Sequence, residues 1–319
     1  MHNKKKKMNK SSIIVGIKSF SLSLDEKNLF QEKKPLGVIL FSRNIKDPKQ
    51  VFSLTQSIKR ALGTEAMILI DQEGGKVSRL NKNYWKTYPD AYYFGKLASI
   101  NIEKAKKLTY QNYKDIGNNL NELGINFNCA PVLDLKIKGA SSVIGNRSFS
   151  RDPKIVSKLS LQACNGLLSG KVFPIIKHIP GHGRAKLDSH YYLPEIKSSK
   201  KVLQEDFYPF IKLNKQPLAM IAHIKYLDLD KKQCATYSKS IIKFIRNTLG
   251  FDGILFSDDL CMKALKGSYI NRAKKAILAG CDIVLHCEPN IQNIFKSCEG
   301  AGFASEKLLR KIKRLQLYL

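Results

Sequence analysis

Eight times along this chain a run of four or five residues, apolar and rich in β-branched side chains, stops abruptly at polar or charged residues. The runs are IIVGI (Ile13–Ile17), GVILF (Gly37–Phe41), AMILI (Ala66–Ile70), INFNC (Ile125–Cys129), VFPII (Val172–Ile176), LAMIA (Leu218–Ala222), GILF (Gly253–Phe256) and DIVLH (Asp282–His286). Each is too short for a helix. Consecutive apolar residues in an extended chain point to both faces, so each run reads as a strand buried on both sides. That burial is the mark of a parallel sheet covered by helices.

Helical periodicity fills the gaps between many of the runs. After Asp47-Pro48, apolar residues recur at Val51, Leu54, Ile58 and Leu62, about one turn apart. Asp152-Pro153 reads as an N-cap followed by an N1 proline, with Ile155, Leu159, Ala163 and Leu167 behind it. Ser238 opens another segment, and Gly250 stands as its expected C′ residue. Glu103–Leu123 is the longest expected helix. Eight alternating units predict an α/β fold, a single (β/α)8 TIM barrel, with a doubly wound open sheet as the other possibility. The predicted organisation is a basic tail over residues 1–10 and a catalytic barrel over 11–319. Residues 290–319 form its helical extension, and no internal boundary is visible.

Charge excludes less than its size suggests. The net charge of +29 is carried by 45 lysines and 10 arginines, and the lysines are spread along the whole chain. A dedicated nucleic-acid binder concentrates Arg and Lys on one face with interleaved aromatics, and that pattern is missing. The expected residue of this charge is weak, salt-sensitive attraction to polyanions. No apolar run approaches the ~20 residues of a membrane helix. The stretch after the basic N-terminus is cut at Lys18, too early for a signal peptide. Seven cysteines without CxxC spacing read as reduced thiols and a cytoplasmic address.

In barrels of this type the chemistry collects where strands end. Here the strand ends carry Ser42-Arg43-Asn44, Asp71-Gln72-Glu73, Asp134, Lys177-His178, His223 and Ser257-Asp258-Asp259. Solvated charge would be equally welcome at the opposite ends, so this segregation points to an enzyme.

Three segments carry the candidate residues. In IDQEGGKVSRL (Ile70–Leu80), Asp71 and Glu73 leave a strand, two glycines allow a sharp turn, and Arg79 can fold back toward Asp71. A Gly-Gly turn with a solvated ion pair is the plainer alternative. In KHIPGHGRAKLDSHYYLP (Lys177–Pro194), three histidines and Asp188 fall within a short loop. His178 and His182 have the i,i+4 spacing of a helical metal pair, but Pro180, Gly181 and Gly183 forbid the helix, and no local Glu or Cys ligand accompanies them. No metal and no cofactor is expected. Asp188 and His190 instead have the spacing of a carboxylate that fixes one imidazole nitrogen and frees the other for proton transfer. In FDGILFSDDLCMKAL (Phe251–Leu265), adjacent carboxylates follow a buried strand and must diverge. Asp258 is expected to face the site as a nucleophile, and Asp259 to act as an N-cap.

Together GVILFSRN, IDQEGGKVSRL, GINFNCAPVLDL, VIGNRSF, IKHIPGHGRAKLDSHYYLP, MIAHIKYLDLD and LGFDGILFSDDLCMKAL resemble the β-N-acetylglucosaminidases of glycoside hydrolase family 3, in particular the bacterial muropeptide-recycling type. The resemblance runs in order from about Gly37 to about Cys287. It implies a single (β/α)8 barrel that removes terminal non-reducing β-linked N-acetylglucosamine with retention, the usual substrate being GlcNAc–anhydro-MurNAc, with or without its peptide. It implies Asp258 as nucleophile, His190 as acid/base and Asp188 as its orienter, with Asp71, Arg79, Arg147, Lys177 and His178 binding the sugar. A histidine then stands where the two-carboxylate scheme has an acid. Lys76 and Ser150 depart from the residues usual in that family, Arg and Gly, and neither carries an implied role.

The partners expected are a small carbohydrate or muropeptide substrate, with no specific nucleic acid, no membrane and a monomeric chain. Two other readings compete: a catalytically inactive sugar-binding barrel, and a basic nucleic-acid-binding protein.

Overall fold

The runs pair side by side in a computed structural model that describes residues 10–316. Among those residues the strands are β1 (Ser11–Gly16), β2 (Pro35–Leu40), β3 (Met67–Ile70), β4 (Phe127–Asn128), β5 (Phe173–Pro174), β6 (Ile176–Ile179), β7 (Glu195–Ile196), β8 (Leu218–Ile221), β9 (Lys225–Tyr226), β10 (Ile254–Asp259) and β11 (Ile283–His286). Nine of them form one parallel sheet in the order β5-β4-β3-β2-β1-β11-β10-β8-β6, and β7 pairs with β9 in a separate ladder.

β5 and β6 are two pieces of one strand interrupted at Ile175. β5 pairs with β4, while β6 pairs with β8. The Lys177 backbone closes the remaining gap: its N–H donates to Pro131 O (3.2 Å) and its carbonyl accepts from Leu133 N (2.7 Å). The sheet is therefore a closed eight-unit barrel and not an open doubly wound sheet.

Helices α1 (Leu24–Lys33), α2 (Pro48–Leu62), α3 (Ala91–Ala98), α4 (Ile102–Glu122), α5 (Pro153–Ser169), α6 (Lys200–Lys212), α7 (Lys239–Asn247), α8 (Tyr269–Ala279) and α9 (Ile291–Ala301) lie between and after the strands. Asp47 and Asp152 cap α2 and α5, each ahead of a proline. Ser238 caps α7, whose last helical residue is Asn247. Gly250 lies beyond the C-cap Thr248, with φ +71°. No described helix is long and apolar enough to cross a membrane.

Strand alternation divides the core in two. One cluster fills the barrel, with Ile14, Met67, Leu69, Met220, Phe256 and Leu285 pointing inward and Phe127 stacked on Phe173 at 5.2 Å. The other cluster lies between the sheet and the helices. The last helix, α10 (Glu306–Gln316), buries Leu308, Ile312 and Leu315 in the inner cluster. Lys311 Nζ reaches Asp252 O, so α10 floors the barrel on the side from which β10 starts. Burying a leucine or isoleucine fully contributes ~1.5–3 kcal/mol. The floor leaves the opposite mouth, where the strands end, to the polar residues.

The expected N-terminal tail lies almost entirely outside the described residues. Lys10, counted in that tail, is buried and pairs with Glu65 and with Leu62 O.

Candidate active site

The carboxylates that leave β3 turn back into the barrel mouth because the chain reverses immediately after them. Gly74 and Gly75 have φ of +98° and +59°, and a Cβ on Gly74 would stand 2.3 Å from Pro89 O. Gln72 stitches the turn: its Oε1 accepts from Arg79 N (2.8 Å) and Leu80 N (3.2 Å), and its Nε2 donates to Ser78 Oγ (2.7 Å). Arg79 is thereby delivered to Asp71, with Nη2 at 3.3 Å from Oδ2.

Two further cations arrive from distant segments. Lys177 Nζ lies 2.8 Å from Asp71 Oδ1 and 2.7 Å from Glu73 Oε1, at 3% side-chain exposure. Arg147, at the end of the 3-10 turn Gly145–Arg147, clamps Glu73 with Nε and Nη2 at 2.8 Å from its two oxygens. Five charges thus share one network, three positive and two negative. Burial pushes the Asp71 and Glu73 carboxyls up, but the cations outweigh it. Glu73 ends near about 2 and Asp71 lower still. Burial alone would lower the Lys177 ammonium, yet Asp71 and Glu73 raise it. The plainer alternative of a solvated pair is replaced by a buried cluster, so its geometry is held in low dielectric.

A second buried carboxylate organises the β6 loop. Asp134 Oδ1 accepts from His178 N (3.2 Å) and His182 N (2.6 Å), and Oδ2 binds His178 Nδ1 at 2.7 Å. His178 is therefore oriented through Nδ1, leaving Nε2 for a ligand. The Lys177–His178 peptide is cis. His182 bonds Ser189 Oγ through Nε2 (3.0 Å), with its ring 5.5 Å from that of His178. Burial and the His178 neighbour lower His182 to about 4. His178 and His182 therefore meet through Asp134 and their ring edges.

The dyad predicted on this loop has the expected local geometry. His190 Nδ1 lies 2.7 Å from Asp188 Oδ1, which also accepts from His190 N (2.9 Å). An ionised carboxylate only accepts, so Nδ1 carries the proton and Nε2 faces outward. The His190 side chain is 59% exposed and so is open to solvent. The loop is tied at both sides, by Ser189 to His182 and by Lys263 N donating to His190 O (3.1 Å).

Asp258 and Asp259 diverge at the end of β10. The Asp258 carboxyl is raised by burial, but His178, His223 and the N–H of Asp259 (2.8 Å) more than compensate, and it lies below the usual carboxylate range. His223 is fixed by Thr236 Oγ1 (2.6 Å) and Asp259 O (3.0 Å). Asp259 is not a helix N-cap, because the next helix begins at Tyr269 under Ser268. Instead its Oδ1 accepts from Cys261 N (2.9 Å) and Cys287 N (3.0 Å), joining the turn after β10 to the end of β11. With no helix beginning beside it, the carboxylate satisfies loop N–H groups instead.

Asp134 and His223 were visible in the sequence only as strand ends, and Glu73 only as a neighbour of Asp71. Their partners lie too far along the chain for local spacing to reveal them.

The family described as the glycosyl hydrolase family 3 N terminal domain matches residues 6–317. A β-hexosaminidase of Bordetella pertussis is 34% identical over 284 residues, spanning 88% of this chain and 80% of that protein. NagZ from Neisseria gonorrhoeae, solved in complex with N-trifluoroacetyl-D-glucosamine, has a TM-score of 0.82 at 30% identity over 97% of both chains. A glycoside hydrolase family 3 β-N-acetylglucosaminidase from Paenibacillus sp. str. FPU-7 has a TM-score of 0.86 at 28% identity. There this chain is covered over 96% of its length and spans 60% of the longer protein.

Proposed function

The chain belongs to glycosyl hydrolase family 3, and from that premise we propose a retaining β-N-acetylhexosaminidase that removes terminal non-reducing β-linked N-acetylglucosamine. Its proposed substrates are GlcNAc–anhydro-MurNAc fragments, with or without peptide, in cytoplasmic peptidoglycan recycling. The observation that carries the reading is the tether between the two halves of the site. The Asp188–His190 dyad is bonded through His190 O to Lys263 N, five residues beyond Asp258. An acid/base and a nucleophile are thereby held on one connected frame.

In the proposed reaction, Asp258 attacks the anomeric carbon while the bond to the leaving sugar breaks. His190 enters this step protonated on both ring nitrogens and gives its Nε2 proton to the leaving oxygen. Asp188 holds the Nδ1–H so that Nε2 is the nitrogen that exchanges the proton. The resulting glycosyl ester is then opened by water, whose proton returns to His190, and two inversions at one carbon give net retention. Ionisation of Asp258 suits its role, since a protonated carboxyl is a poor nucleophile.

Asp71, Arg79, Arg147, Lys177 and His178 supply the sugar contacts in this reading. The cluster is already internally paired, so the sugar hydroxyls meet charged groups that need no reorganisation. Each charge-assisted bond to a desolvated ligand contributes ~1.5–3 kcal/mol.

The test is product analysis by proton NMR after incubation with GlcNAc–anhydro-MurNAc, with and without phosphate. Release of β-GlcNAc as the first anomer supports retention, and a phosphorylated sugar would replace water by phosphate as acceptor. Sugar binding without any turnover of this substrate or of a chromogenic GlcNAc glycoside would mark an inactive binding barrel and sink the proposal.

A further inference from the structure

A second polar cluster lies beside the mouth and takes no part in the proposed sugar chemistry. Cys261 sits in the turn after β10, His286 is the last residue of β11, and Glu288 follows two residues later. One ligand atom from each lies within 4.8 Å of the other two. From this juxtaposition we propose that Cys261, His286 and Glu288 bind a thiophilic divalent cation of the zinc class.

His286 carries the argument. It is fully buried, its Nδ1 lies 2.8 Å from Ser297 Oγ on α9, and its ring packs edge-on to Tyr269 at 4.9 Å. Its Nε2 is buried without a hydrogen-bond partner. With Nδ1–H donated to Ser297, Nε2 presents a bare lone pair. A histidine oriented through one nitrogen while the other awaits a ligand is the usual arrangement around a bound metal.

Glu288 is oriented in the same way. Its Oε2 accepts from Tyr269 Oη (2.9 Å) and Asn293 Nδ2 (3.3 Å), which leaves Oε1 for the ion. Tyr269 thus packs on one ligand and bonds another. Ligand atoms on a tetrahedral zinc stand ~3.5 Å apart, from Zn–S of ~2.3 Å and Zn–N of ~2.0 Å. Closing from the observed separation needs only small movements of Cys261, which is part-exposed, and Glu288, which is exposed. His286 can stay where α9 holds it.

The donor set selects the ion. A thiolate, an imidazole and a carboxylate suit zinc and disfavour magnesium and calcium, which prefer all-oxygen sites. Binding releases the Cys261 thiol proton to solvent, and the thiolate and Glu288 then neutralise the ion. Arg272 and Arg43 are opposing charges nearby, but both guanidiniums are committed to backbone carbonyls, Arg272 to Leu260 O (2.7 Å) and Gly267 O (2.9 Å) and Arg43 to Ile17 O (2.9 Å) and Cys287 O (2.7 Å). Three protein ligands leave a fourth position for water. The bound ion would clamp the turn after β10 to the end of β11, alongside the Asp259 bonds that already join them.

The test is cobalt titration of the full chain after chelator treatment, read by absorbance. One equivalent should give a thiolate-to-cobalt charge-transfer band in the near ultraviolet, bleached by zinc. Cys261→Ser should abolish the band with its circular dichroism unchanged. Glu288→Gln, at an exposed position, should weaken cobalt binding at least tenfold. Cys287→Ser and His190→Ala should keep the band. A band that survives Cys261→Ser, or that is lost in Cys287→Ser or His190→Ala, would place the ion elsewhere and overturn the proposal. So would a wild-type chain that gives no band.

Discussion

Arg147 lays its guanidinium along both oxygens of Glu73, 74 residues away in sequence, with two bonds of 2.8 Å. Side-chain exposures of 11% and 5% remove both from bulk water. Lys177 shares the same carboxylate at 2.7 Å. Removing Glu73 would therefore strand the Arg147 guanidinium in the interior and leave Lys177 with Asp71 alone. Breaking a buried pair by deleting one partner costs ~3–5 kcal/mol. Glu73→Ala is expected to lower unfolding free energy by about that amount in urea titration. A loss under ~1 kcal/mol would show that the cluster is solvated.

Asp258 is expected to form the covalent intermediate. Asp258→Ala should abolish turnover, and a 2-fluoro sugar inactivator should leave its label on the peptide containing Asp258. Mass spectrometry that finds the label on Asp259 or Glu73 would refute the assignment.

His190 is expected to protonate the leaving group. General acid–base help is typically worth ~10²–10⁴-fold, so His190→Ala should lose about that factor on a disaccharide. On aryl glycosides with good leaving groups the glycosylation step should suffer far less. Asp188→Ala should resemble it more weakly, since the imidazole remains without its 2.7 Å anchor. The measurement is kcat/KM across a series of aryl glycosides. An equally flat dependence in wild type and His190→Ala would remove His190 from the role.

His182 makes stability depend on mild acid. Its unfolded imidazole titrates near 6.5, whereas burial and His178 hold the folded one near about 4. Above the upper value both states are neutral and pH has no effect through this group. Between the two values only the unfolded chain takes up the proton, so stability falls as pH falls. Tm should decline from pH 6.5 toward pH 4, and His182→Gln should flatten that decline. An unchanged slope in the variant would show that another group is responsible.

Much of the frame was legible because its determinants are local. The eight runs mark eight barrel positions, with the fifth split at Ile175, and the caps Asp47, Asp152 and Ser238 stand where side-chain spacing put them. The Asp188–His190 pair was readable for the same reason, being two residues apart. Asp259 was misjudged because its N–H partners include Cys287, 28 residues on. The local spacing of histidines draws attention to the His178–His182 loop, whereas Cys261, His286 and Glu288 come together only through the pairing of β10 with β11.

Sequence by itself determined the number and order of the barrel strands, their burial on both faces, and the end of the strands at which ionisable residues collect. Those properties follow from side-chain periodicity and from residues within a few positions of one another. Tertiary structure alone decided which carboxylates meet partners far along the chain. Lys177 meets Asp71 across 106 residues, and Asp134 meets His178 across 44. Such pairings depend on which strands become neighbours and how the barrel closes. At that range, the chain's spacing carries no trace of the short distances on which the electrostatics of the site depend.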